Sequence, residues 1–109
     1  MSGGGGSGGI GPSGPTENVD CAKLAFDTTL TSPQKPIVDT LAVGAVLELE
    51  VREAGGRKII AAVTQAGDVA GSITDRTPDL LRCMQEGVMY VADVTVVNGG
   101  WIELHVHAA

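Results

Sequence analysis

Near its end the chain reads Trp101-Ile102-Glu103-Leu104-His105-Val106-His107, which places two histidines and a glutamate at alternate positions. On an extended strand such positions leave the same face about 7 Å apart. A His-x-His pair with a carboxylate as third ligand can hold Zn²⁺ or a similar ion, so Glu103, His105 and His107 form a candidate metal site. The competing reading is a solvated polar face, with Ile102, Leu104 and Val106 turned inward. Trp101, the only tryptophan, shares the polar face or closes the core beside the preceding Gly99-Gly100. If exposed it is an anchor for a protein partner, because tryptophan dominates interface hot spots. Trp101, His105 and His107 are therefore the candidate partner-binding residues.

Other chemistry is thinner. Arg57-Lys58 is the one adjacent basic pair, and Arg52 falls near it across a turn; together they are the candidate contact to nucleic acid, or else a charged turn. Glu48 and Glu50 share a face, yet acid–base catalysis needs a cleft to shift a carboxyl pKa, and none is indicated. Ala70-Gly71-Ser72-Ile73 is not a nucleophile elbow. Cys83 falls among apolar neighbours in an expected helix, where a thiol is usually inert. No catalytic residues are expected, and the chain reads as a non-enzyme.

These residues must be positioned by a small sheet. Two apolar-alternating runs flank Asn98-Gly99, the strongest short-range sign of a β-hairpin. A second hairpin is expected where Gly55-Gly56 joins residues 45–53 to residues 57–64. Residues 23–30 alternate, with Leu24, Phe26, Thr28 and Leu30 on one face. Gly71 within the strand 68–73 predicts a bulge or sharp bend. Short helices are expected over 34–41, with a capping box from Thr31 to Gln34, and from Thr77 as N-cap to about Gln85 before Gly87. The order β-α-β-β-β-α-β-β, with Gly-rich turns, predicts a mainly β fold with two short helices, a small partly open β-barrel.

Size and charge bound the rest. The 109 residues suffice for one domain. Residues 1–16 hold half of the glycines and read as a disordered Gly/Ser-rich leader or linker, leaving 17–109 as the folding unit. Aromatics are 3% of the chain, so aliphatic side chains must fill the core. The net charge of −6, with scattered Lys and Arg, disfavours nucleic acid and anionic membranes as partners. No apolar run of transmembrane length and no signal peptide is present, giving a cytoplasmic expectation. In that setting Cys21 and Cys83 read as two reduced thiols, the alternative being one disulfide from the first strand to the second helix.

Val43-Gly44, Leu47, Leu49 and Val51, then Gly67 to Ile73, then Gly87, Tyr90, Ala92 and Val94 together resemble the small β-barrel class that includes the HIRAN domain. The resemblance spans about two-thirds of the chain and implies a barrel that binds single-stranded DNA ends. The family's Asn-x-x-Asp-x-Asn-Ala element is absent, Arg57-Lys58-Ile59-Ile60-Ala61 standing there instead, so no binding residue carries over. The expectation is a non-catalytic interaction module that docks on a protein partner or self-associates, through a sheet edge or the Trp101 face. The alternatives are a single-stranded nucleic-acid binder and a zinc site at Glu103, His105 and His107.

Overall fold

A computed structural model of the chain describes residues 19–109; the expected leader, 1–16, lies outside the described residues. The element order is the expected one: β1 (Phe26–Thr29), α1 (Lys35–Val38), β2 (Val46–Ala54), β3 (Arg57–Val63), β4 (Val69–Ile73), α2 (Thr77–Gln85), β5 (Tyr90–Asn98) and β6 (Trp101–Ala108). The strands form one antiparallel sheet of six in the order β1-β6-β5-β2-β3-β4. Gly55 and Gly56 both take positive φ, the backbone a tight hairpin between β2 and β3 requires. In the closing hairpin Asn98 pairs with Trp101, so the turn is Gly99-Gly100, one residue beyond the expected step.

The sheet does not close into a barrel. After β1 the chain crosses from one sheet edge to the other. The Leu30 N–H donates to the Ile102 carbonyl at 2.8 Å, and Thr31 then exchanges backbone bonds with Ser72 of β4 at 2.9 and 2.8 Å. That lone bridge is the only ladder contact between the first and last strands' surroundings among the described residues. Closure of a barrel needs a strand-length ladder, which one residue does not supply.

The crossing explains Gly71. The register slips between Ala62 and Val63 opposite Gly71, as the sequence predicts. A Cβ on Gly71 would lie 2.7 Å from both Leu30 Cγ and the Thr31 carbonyl oxygen. The bulge therefore brings β4 to where only glycine lets the crossing segment through.

The core is aliphatic on the sheet's inner face: Leu47, Leu49, Ile60, Ile73, Ile102, Leu104 and Val106 meet Leu80 and Cys83 of α2 and Val38 of α1. Tyr90 is the one aromatic fully inside; its hydroxyl donates to the Cys21 carbonyl, and burial pushes the phenol pKa up.

Both helices depart from expectation at their ends. Helix α1 stops at Val38, because the Thr40 hydroxyl donates to the Ile37 carbonyl at 2.6 Å and the chain continues as tighter turns. The Thr31–Gln34 capping box does not form: Thr31 is committed to the bridge, and the Gln34 amide donates to the Ser32 carbonyl at 3.1 Å. At α2 the N-cap is Arg76, in the left-handed conformation, and the Thr77 hydroxyl donates back to Thr74 at 3.0 Å. Arg76 is held there by Asp79, at 2.9 Å, and its guanidinium lies 5.8 Å from the centre of the Phe26 ring.

The reduced-thiol expectation is corrected. Cys21 and Cys83 are joined by a disulfide across a Cα separation of 5.5 Å. It ties the turn ahead of β1, rather than the strand itself, to α2. Arg82 from the same helix adds a 3.3 Å bond to the Val19 carbonyl.

Two stability measurements check this architecture. Gly71→Ala costs about 1–3 kcal/mol of unfolding free energy through overpacking, whereas Gly100→Ala, with nothing within 4 Å, changes little. Replacing both Cys21 and Cys83 by Ser lowers stability by about 2–5 kcal/mol. Urea unfolding of each variant beside the parent reads both.

Candidate functional site

The expected face on the last strand is present. Alternation along β6 buries Ile102, Leu104 and Val106 and turns Trp101, Glu103, His105 and His107 outward. Trp101 is 55% exposed, and so does not close the core. Its indole N–H donates to Glu103 Oε2 at 2.9 Å, which orients the ring. The His105 and His107 rings are stacked with centroids 5.6 Å apart.

The neighbouring strands each supply a carboxylate. In register, His105 lies between Asp27 of β1 and Asp93 of β5. Its Nδ1 is 2.8 Å from Asp27 Oδ1. The Asp93 carboxylate reaches diagonally, and its Oδ2 is 2.8 Å from His107 Nε2. His107 Nδ1 is 2.9 Å from the Ala108 carbonyl oxygen. Both ring nitrogens thus face acceptors, an arrangement only the doubly protonated imidazolium satisfies. The backbone carbonyl of Ala108 first, and then the Asp93 carboxylate, raise the His107 pKa above its ordinary value near 6.5.

Both ring nitrogens of His107 are engaged, whereas His105 uses only Nδ1. Glu103 is turned to Trp101, His105 to Asp27 and His107 to Asp93, so the expected zinc ligands share a face without converging. Among the described residues no three His, Cys, Asp or Glu side chains are placed to hold one ion.

The basic candidates are divided. Arg52 and Arg57 share the outer face of the β2–β3 hairpin, and Arg52 is paired with Glu50 at 2.9 Å. Lys58 lies on the opposite face, across from Glu53. Of the three aromatics able to stack on a base, Tyr90 is buried and Phe26 is half-buried beside Arg76; Trp101 alone stands out from the surface.

Asp27 and Asp93 were not singled out in the sequence. Asp93 had a visible signal, a lone acid in the apolar run Val91-Ala92-Asp93-Val94, but its meaning depends on which residue stands opposite. Compared with family models, curated proteins and solved structures, the chain matches none.

The His107 geometry has a pH signature. A raised folded pKa means its stabilisation is fully present below the ordinary value near 6.5 and is lost as pH rises through the folded value. Urea midpoints of the parent and His107→Gln, taken from about pH 6 to about pH 9, converge as pH rises. A constant gap would assign the effect to packing instead.

Proposed function

We propose that this domain is a non-catalytic interaction module that docks on a protein partner through Trp101, His105 and His107. The observation that carries the reading is the 55% exposure of the single tryptophan on a strand whose other large apolar side chains are buried. An exposed indole offers a large, rigid apolar surface at low conformational cost, which suits it to anchoring a contact. Val96, in register with Glu103 beside it, is also partly exposed and enlarges the apolar area. Glu103 holds the ring in one orientation, so little side-chain freedom is lost on docking. The curled sheet, read as a partly open barrel, supplies a rigid backing.

The single-stranded nucleic-acid reading rests on the HIRAN-like resemblance and on Arg52, Arg57 and Lys58. It is the weaker reading, since those cations do not share one face and two of three aromatics are withdrawn. A cytoplasmic setting is also the weaker one beside the Cys21–Cys83 disulfide, which suits an oxidising compartment.

Trp101→Ala tests the reading. Loss of a hot-spot tryptophan weakens partner binding by about 30-fold, the equivalent of about 2 kcal/mol, with the thermal midpoint nearly unchanged. The measurement is capture from nuclease-treated lysate of the source cells by parent and variant, with thermal melting alongside. Capture that survives in the variant, or that disappears with nuclease in the parent, overturns the proposal.

A further inference from the structure

What lies beside the indole narrows the chemistry of anything that docks on it. Glu103 Oε2 accepts the Trp101 indole N–H at 2.9 Å, so a carboxylate stands at the ring's pyrrole edge. In register Glu103 lies between Thr29 of β1 and Val96 of β5, and neither carries a charge. The two histidines further along the strand have acids of their own, His105 in Asp27 and His107 in Asp93. Among the described residues no Lys, Arg or His pairs with Glu103. No donor there reaches its second oxygen, Oε1, either. Three other exposed acids, Asp39, Glu50 and Glu86, find their cation within the chain.

The face therefore presents an open indole with a carboxylate fixed at its edge and no cation beside it. The charge of the chain, −6, favours a cationic visitor. A cation over an indole is attracted by the ring's quadrupole, and the carboxylate adds a counter-charge. A guanidinium uses both at once. It is planar and weakly hydrated, so it stacks on the ring, and its fork of N–H donors reaches a carboxylate oxygen at the edge. An ammonium is a compact, strongly hydrated point charge with no flat face to stack. A quaternary ammonium is held by a cage of aromatics, and Trp101 is the one aromatic side chain standing out from the described surface. Val96, 38% exposed across from Glu103, supplies apolar surface for the methylene stem of an arginine.

We propose that the Trp101 face recognises an arginine side chain of its protein partner, the guanidinium stacked on the indole and bonded to Glu103 Oε1. The inference rests on the docking reading above and names the partner group engaged there. A single ion pair packed on an aromatic has a shallow salt dependence, unlike a track of phosphates.

The probe is a capped pentapeptide, Val-Gly-Arg-Gly-Val, beside versions with lysine or citrulline in place of arginine. Citrulline keeps the planar shape without the charge. Trp101 is the only tryptophan, so its fluorescence and its indole N–H resonance report the site directly. The arginine peptide shifts both signals with a Kd of about a millimolar or lower. It binds about tenfold more tightly than either substitute. Glu103→Gln keeps an oxygen to accept the indole N–H while removing the charge, and thermal melting confirms that it is folded. This variant weakens the arginine peptide by about tenfold. No shift at about 10 mM arginine peptide overturns the proposal. So does equal binding of the lysine or citrulline version, or a Glu103→Gln variant that binds like the parent. Partner capture separates this inference from the reading beneath it. A partner lost with Trp101→Ala but held at full strength by Glu103→Gln overturns the arginine contact and leaves the docking reading standing. A partner held by Trp101→Ala overturns both.

Discussion

The passage of Leu30–Thr31 over Gly71 is the constraint on which the rest of the structure depends. A six-stranded antiparallel sheet left flat would present two long open edges. Here one short segment leaves β6 at Ile102 and bonds to β4 at Ser72, drawing the first and last strands of the sheet toward each other. The approach is so close that no Cβ fits at Gly71. The curl it imposes encloses an aliphatic core that a chain with three aromatics could not otherwise fill. The same crossing fixes β1 against β6, which is what brings Asp27 to His105. The stability of the fold and the electrostatics of its candidate face thus share one cause.

The elements were legible in the sequence because their signals are local. Alternation marked four of the six strands and turn residues bounded the other two, while Gly55-Gly56 and Asn98-Gly99 marked the hairpins to within a residue. Gly71 announced its bulge because a glycine within an apolar strand has few other uses. What failed was set by contacts distant in sequence. Thr31 could have capped a helix, but Ser72 claims it. Thr77 was placed as the N-cap, but the pairing of Arg76 with Asp79 moves the cap by one residue. The cysteines stand 62 residues apart, a spacing that carries no pairing signal, and only the fold brings them to a Cα separation of 5.5 Å.

The candidate site divides along the same line. The face of Trp101, Glu103, His105 and His107 follows from strand alternation alone. Its chemistry does not, because that depends on the strands at either side. Asp27 and Asp93 convert two potential metal ligands into two ion-paired or hydrogen-bonded side chains. With those polar groups partnered internally, the indole and Val96 are the large apolar side chains that this face leaves exposed. A contact of the kind proposed at Trp101 would draw on apolar burial and be little weakened by salt, which separates it from phosphate binding.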